Sequence, residues 1–296
     1  MYFPKPYPDE LLGSLLIRAS HHLGLPPKTI GCLLHTNTDL SFLYPSALDA
    51  ISRLTNIPAQ NLLRKHTVYP YSALSLPIDK RDALERALLT GSARGSSVRF
   101  RASLGLHIDA LSRLRYCEQC CFAECQRIGE SYWHRQHILP GVFVCPLHGD
   151  TLRISSISVL PKLSATNVKL PQEVTGDAVN WAIDGDHLRE LAAAVMEAMQ
   201  RPMGTWDCTA RHFRDIATLD FRNSSHHEWL VDPFVHQFAK FYGTRFLEQV
   251  GLGLTSLGAD AWPAQVARGA RPTVLLQLRH IMLHLFLKRL GNLSSF

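Results

Sequence analysis

Hydrophobic residues recur at helical spacing along most of the chain, and this pattern predicts a mainly α-helical protein. In about the first 70 residues it predicts four short helices, which begin after Pro8, near Pro27, near Ser46 and at Ala59. The same periodicity predicts further helices over 80–90, 188–199, 211–219, 232–242, 244–250 and 273–290. The stretch 155–180 is rich in Ser, Pro, Thr and Asn and has weak periodicity, so we expect a linker there.

Two of the predicted helical pairs have the same order of helix, proline-containing turn and short second helix. Their turns contain Pro26 and Pro58. Two helices joined by a tight turn are the unit of a helix-turn-helix DNA-binding module. An ordinary helical hairpin packed in a core has the same short pattern, so both interpretations stay open at this point.

Four residues carry the best-defined chemistry of the chain. Cys117 and Cys120 form a C-x-x-C pair, and Cys145 and His148 form a C-x-x-H pair. A two-residue spacer lets both ligands of a pair point at one tetrahedral ion, and two such pairs complete a closed Cys₃His shell. We therefore predict one structural Zn²⁺, because a closed shell leaves no open position for a substrate.

The segment between the two pairs predicts the surroundings of this ion. We expect Trp133 and Leu139 to pack against the zinc turns, and Arg135 and His137 to be exposed. Two further cysteines lack a matching distal pair, and we interpret them as incidental to metal binding: Cys121 and Cys125.

Signatures of several enzyme classes are missing from the sequence. H-E-x-x-H, G-x-x-x-x-G-K-[ST], G-x-S-x-G and the deaminase pattern do not occur. His134 and His137 beside a zinc pair could mimic an HNH-type nuclease, but no carboxylate or Asn cluster accompanies them. We expect a protein that is not an enzyme, with a zinc-dependent HNH-like nuclease as the less favoured alternative.

Composition and charge limit the class of protein. The 296 residues are 46% hydrophobic, which suffices for two or three domains with real cores. The net charge of +6 is compatible with nucleic acid, and residues 261–296 contain five basic residues and no acid. No secretory signal and no apolar run long enough to span a bilayer occur. We expect a soluble, cytoplasmic and nucleoid-associated protein with no membrane partner.

Short motifs along the first 155 residues resemble a known family. They are F-P-x-P-Y-x-D-E-L-x-x-S over 3–14, R-Y-C-x-x-C over 115–120, G-E-x-Y-W-x-R-x-H-x-L-P-G over 129–141 and V-C-P-x-H-G over 144–149. In their order and spacing they are similar to the TniQ family, and within it to the TnsD branch, the target selectors of Tn7-like transposons.

The resemblance implies partners that composition cannot. TniQ-family proteins are not enzymes; they connect a chosen DNA target to the AAA+ ATPase TnsC, which recruits the transposase subunits. Members of the TnsD branch recognise a specific attachment site in double-stranded DNA directly. Shorter members instead act as adaptors on an RNA-guided CRISPR effector, which is the alternative function. The zinc ligands of the family pattern fall on Cys117, Cys120, Cys145 and His148.

Residues for each partner follow from this interpretation. The arm formed by Tyr2, Phe3, Pro4 and Tyr7 looks like an exposed aromatic-proline segment, and we expect it to dock TnsC. The C-terminal helical region is expected to bind DNA, with 232–240 as the recognition helix. The predicted DNA contacts are Arg211, Arg214, Arg222, Asn223, His236, Gln237, Lys240, Arg268, Arg271 and Arg279. For each arginine, a surface ion pair is the competing interpretation.

The predicted fold class is mainly α, with helix-turn-helix-type helical domains flanking a small Cys₃His zinc-finger module. We place an N-terminal helical region at 1–109 and the zinc-finger module at 110–155. A linker follows at 156–186, and a C-terminal helical DNA-binding region occupies 187–296.

Overall fold

Helices account for more than half of the described residues in the computed structural model, which confirms the mainly α prediction. The structure describes residues 2–35, 40, 42–43, 47–90, 96–160, 163–164, 166–200, 230–270 and 274–290. The helices are α1 Leu12–Leu23, α2 Pro27–Leu33, α3 Leu48–Thr55, α4 Ala59–His66, α5 Tyr69–Ala73, α6 Ile78–Leu89, α7 Ser96–Leu104, α8 Asp109–Ser112, α9 Glu118–Ile128, α10 Gly185–Gln200, α11 Val231–Tyr242, α12 Thr244–Gln249, α13 Trp262–Ala267 and α14 Leu276–Arg289. The helix predicted over 211–219 lies outside the described residues.

Helix α1 begins later than its sequence suggests. A start near Pro8 is predicted, but the first helical residue is Leu12. The preceding backbone pairs with the loop after α9 instead: the Leu11 amide donates to the Trp133 carbonyl at 2.8 Å, and the Arg135 amide donates to the Asp9 carbonyl at 2.8 Å. Together with a turn in which the Glu10 amide donates to the Tyr7 carbonyl at 3.1 Å, these long-range hydrogen bonds fix the backbone before Leu12, so the helix cannot include it.

Helices α3 and α4 are joined by a tight turn, which fits both interpretations of the sequence pattern, a helix-turn-helix unit and an ordinary helical hairpin. Asn56 closes α3 in a left-handed conformation with φ of 55°, and Pro58 precedes α4. The two helices pack on one another through fully buried side chains that include Ile51, Leu62 and Leu63. The pair is therefore a fixed unit with one buried and one outward face.

A three-stranded antiparallel sheet corrects the expectation of a linker over 156–186. Strands β1 (Arg113–Tyr116), β2 (Arg153–Ser158) and β3 (Gly176–Ala178) pair in the order β1-β2-β3. The strands are only three to six residues long, three of the six residues of β2 are serines, and β1 pairs with a strand far along the chain. The periodicity of the sequence therefore missed the sheet.

The apolar core continues from the zinc-ligand segment into the C-terminal helices. The ring of Phe143 packs against Trp181 at a centroid distance of 4.3 Å and meets Phe246 edge-on at 6.1 Å. Helix α10 packs on both α14 and α5, and α11 packs on α12 and α13. Across the described residues, no helix is both long enough and apolar enough to cross a membrane.

Candidate metal centre

Two local structures bring the four predicted ligands together. Strand β1 leads into Cys117, which immediately precedes α9, and Cys120 lies in the first turn of that helix. Cys145 and His148 lie on a tight turn in which the Cys145 amide donates to the Asp150 carbonyl at 2.7 Å. Gly149, with φ of 75°, lets the chain reverse there. Each pair is therefore shaped by local backbone geometry.

The distances between the donor atoms fit a tetrahedral ion. The Sγ atoms of Cys120 and Cys145 are 3.7 Å apart. His148 Nδ1 lies 3.4, 3.3 and 3.6 Å from the sulfurs of Cys117, Cys120 and Cys145. Tetrahedral Zn²⁺, with bonds of about 2.3 Å to sulfur and about 2.0 Å to nitrogen, would space its ligands by about 3.5–3.8 Å. The donor set thus fits a closed structural zinc site.

The electrostatics of the cluster also favour a cation. Hydrogen bonds from Cys120 and Cys145 lower the pKa of the Cys117 thiol, while the hydrogen bond with Cys117 raises the pKa of Cys120. Three thiolates packed this closely repel one another, so a divalent cation is needed for all three to be ionised. The three cysteines are buried, which strengthens that requirement.

Among the described residues, these four form the one group of metal-ligating side chains with such close spacing. The extra thiol of Cys121 instead donates to Ser131 Oγ at 3.4 Å. Cys125 is half-buried and lies outside the group.

The zinc-ligand segment lies inside a region shared with known proteins. The TniQ family model matches residues 1–152, about half of the chain. This chain belongs to the TniQ family. It is also similar to transposon Tn7 transposition protein TnsD of Escherichia coli, with 30% identity over 154 residues. That match covers 50% of this chain and only 30% of the length of the relative.

The aromatic loop of this TniQ protein is more buried than its sequence suggests. Trp133 has no exposed surface, meets the Tyr116 ring edge-on at 6.0 Å and donates its indole N–H to the Lys169 carbonyl at 2.8 Å. The expectation that His137 is exposed is wrong, because this ring is fully buried and burial lowers its pKa well below the ordinary value. Arg135 is largely buried too and pairs with Asp9 at 2.9 Å.

The same burial argues against the nuclease alternative. The His137 ring has no surface from which to reach a phosphodiester. His134 Nε2 is engaged with the Glu124 carboxylate at 2.6 Å. Both histidines therefore serve the packing of the loop.

Sequence reasoning missed a buried ion network, which we call the Arg18 network and define as Glu10, Arg18, His22 and Glu130. The Arg18 guanidinium donates to the carboxylates of Glu10 at 2.7 Å and Glu130 at 2.8 Å. His22 Nε2 lies 2.9 Å from the second oxygen of Glu130. Arg18 and Glu10 are almost completely buried. The network ties the arm and α1 to the end of α9, and no local spacing pairs residues so far apart in the chain.

A second buried guanidinium, that of Arg115, also holds the zinc-ligand segment in place. Arg115 donates to the carbonyls of His137 at 2.8 Å, Ala110 at 3.0 Å and Leu139 at 3.2 Å. Burial lowers the pKa of Arg115 to about 10, so the side chain stays charged near neutral pH. Since Arg115 lies two residues before the first ligand, it connects the metal centre to the loop between the ligand pairs.

The N-terminal arm is only partly exposed. Tyr2 is 59% exposed, but Phe3 is 7% exposed and Pro4 is buried, so the description of these two as exposed is wrong. Tyr7 is half-buried, with the Arg18 guanidinium 3.9 Å from its ring centroid and Tyr132 stacked against it. The burial of Phe3 and Pro4 and the contacts of Tyr7 with Arg18 and Tyr132 therefore hold the arm in place.

The structure describes five of the predicted DNA contacts, and these differ in their exposure. His236, Gln237 and Lys240 share the exposed face of α11. Arg268 is exposed at the end of α13, whereas Arg279 is half-buried with its guanidinium 5.1 Å from the Trp262 ring centroid. Burial lowers the pKa of Arg279 and limits its reach to a phosphate. The remaining predicted contacts lie outside the described residues: Arg211, Arg214, Arg222, Asn223 and Arg271.

Proposed function

We propose that this chain is a target-selection protein of a Tn7-like transposon, which recognises an attachment site in duplex DNA and recruits the AAA+ regulator TnsC. The observation that carries the proposal is the TniQ match over residues 1–152, which includes all four metal ligands and the complete Arg18 network. A closed ligand shell supports a structural role for the metal and a function without catalysis.

The packing suggests how such a protein would work. Bound zinc would cross-link the turn at Cys145 to the start of α9. The Arg18 network connects this unit to α1, and the Phe143 contacts connect it to the C-terminal helices. DNA held at one surface and an ATPase held at another would then keep a fixed relative geometry, from which TnsC can direct the transposase subunits.

The exposed face of α11 supports part of the proposed DNA surface. Gln237 suits adenine, and Lys240 suits a phosphate. His236 and Arg268 are exposed as well, and we propose that they contact DNA. The same is proposed of the predicted residues that lie outside the described part of the chain. Arg279 is better suited to holding Trp262 than to binding DNA.

For the ATPase, the arm offers a smaller surface than its sequence suggests. Tyr2 and the edge of Tyr7 are accessible, and Phe3 and Pro4 would anchor the arm beneath them. Deletion of the arm would therefore disturb the Arg18 network as well. The sharper test is Tyr2→Ala, which removes only the contact of Tyr2 with His22 at the edge of that network and keeps the buried pair of Arg18 and Glu10. It should weaken TnsC recruitment and leave DNA affinity unchanged.

The proposed function is tested by binding of the zinc-loaded chain to an attachment-site duplex and to a scrambled duplex of equal length, with and without TnsC. Preference for the attachment site at moderate salt is expected, since specific binding typically exceeds non-specific binding by about 10³-fold or more. Equal affinity for both duplexes, combined with tight binding to an RNA-guided effector, would replace the proposal with the adaptor function. Plasmid cleavage on metal addition would contradict the non-catalytic role.

A further inference from the structure

Helix α4 presents an outward face made of polar side chains. Gln60, Asn61, Arg64 and Lys65 are exposed, while the opposite side of the helix is buried in the core. In a helix-turn-helix unit, the second helix enters the major groove and its first residues contact base edges. Gln60 and Asn61 occupy the first turn of α4, and the two cations follow one turn later.

The surrounding structure holds α4 rigidly. His66 Nδ1 lies 2.8 Å from the Glu10 carbonyl oxygen, and Arg135 donates to the Arg64 carbonyl at 2.6 Å. Glu85 accepts hydrogen bonds from Gln60 at 2.6 Å and from Arg64 at 2.8 Å, which orients both side chains. A binding surface is more selective when hydrogen bonds within the protein fix its side chains before the ligand binds.

The charge and polarity of this face favour a nucleic acid over a protein. Helix α4 contains no acid; Lys65 and Arg53 of α3 are exposed cations, and Arg64 is ion-paired with Glu85. The carboxylate of Glu85 is largely buried, and Asp49 is the exposed acid of α3. The face also lacks a large apolar side chain, and protein interfaces generally need such an anchor at their centre.

We propose that α4 is the recognition helix of a duplex-DNA contact separate from the C-terminal region, with Gln60 and Asn61 at base edges and Arg64 and Lys65 at the backbone or a guanine. This inference rests on the proposed function, because it assumes that the chain binds DNA. It adds the N-terminal helical region to the DNA surface.

The test uses the full chain with zinc bound and a fluorescent attachment-site duplex. Asn61→Ala should weaken binding at least about fivefold and relax the preference at one base pair. Lys65→Ala should weaken binding to specific and scrambled duplexes alike, and should lower the slope of log affinity against log salt by about 1. Lys80→Ala is the matched control, because this lysine is exposed and belongs to α6, where it neighbours Asp79, and not to α4.

The outcomes separate this inference from the proposed function. Site preference in the wild type with unchanged affinity in both α4 variants would overturn the inference and leave the function standing. Loss of TnsC recruitment at unchanged DNA affinity would also overturn it and assign the face to protein docking. If the wild-type chain shows no preference for the attachment site, both the inference and the proposed function are overturned. Because the substituted side chains are exposed, thermal melting should show all variants folded.

Discussion

Replacing Arg18 with methionine tests the Arg18 network most directly. The change removes the cation that contacts Glu10 at 2.7 Å and Glu130 at 2.8 Å, and it leaves the buried carboxyl of Glu10 without a counter-charge. Loss of one partner from a buried ion pair costs about 3–5 kcal/mol, so we expect the free energy of unfolding to fall by about 4 kcal/mol. The free energy of unfolding of a typical domain is about 5–15 kcal/mol, so this loss is a large fraction of it.

Urea denaturation of the zinc-loaded protein measures this loss. With a slope of about 3 kcal/mol per molar urea, the midpoint should fall by about 1.3 M. Arg113→Met is the control, because its pair with Asp109 is exposed and should contribute less than about 0.5 kcal/mol. Equal losses in the two variants would refute the argument from burial.

The pH dependence provides an independent check. Burial raises the pKa of Glu10 from 4.5 to about 7, against the opposing effect of Arg18. Between these values the folded state binds more protons than the unfolded state, so the contribution of this carboxyl to stability falls as pH rises. Without Arg18 the pKa should rise further. The deficit of Arg18→Met relative to wild type should therefore be largest above pH 7 and shrink toward pH 6; a constant deficit would contradict the assignment.

Two further changes test the metal centre and the core. Chelation, or Cys145→Ser, should release about one zinc ion per chain and lower the Tm, as metal analysis and calorimetry can show; an unchanged Tm without metal would contradict a structural site. Gly141→Ala should cost about 2–4 kcal/mol, since φ is 93° and a Cβ would lie 2.8 Å from Val195 Cγ2. Gly24→Ala, with φ of 63° and open space around it, should cost only about 1 kcal/mol, and equal losses in urea would contradict the packing argument.

The candidate metal centre could be predicted from sequence because its geometry is local. A two-residue spacer places Cys117 beside Cys120, and the turn at Gly149 places His148 beside Cys145. The arm could not be predicted in the same way. The aromatic and proline residues around Phe3 in the sequence do not indicate whether it is buried. Only the packing of α1 and the loop after α9 decides that it is.

The sequence by itself predicted nine of the fourteen described helices, the four metal ligands and, through its motifs, the TniQ family, but it did not predict α5, α7, α8, α9 and α13. Each helix, each ligand pair and each motif depends on residues a few positions apart, where periodicity and spacing carry the physical information, whereas the meeting of the two ligand pairs depends on the fold. Only the tertiary structure decided the sheet of β1, β2 and β3, the Arg18 network and the polar face of α4. These depend on groups that are distant in sequence, such as Arg18 and Glu130, and their contacts form only when the whole core packs.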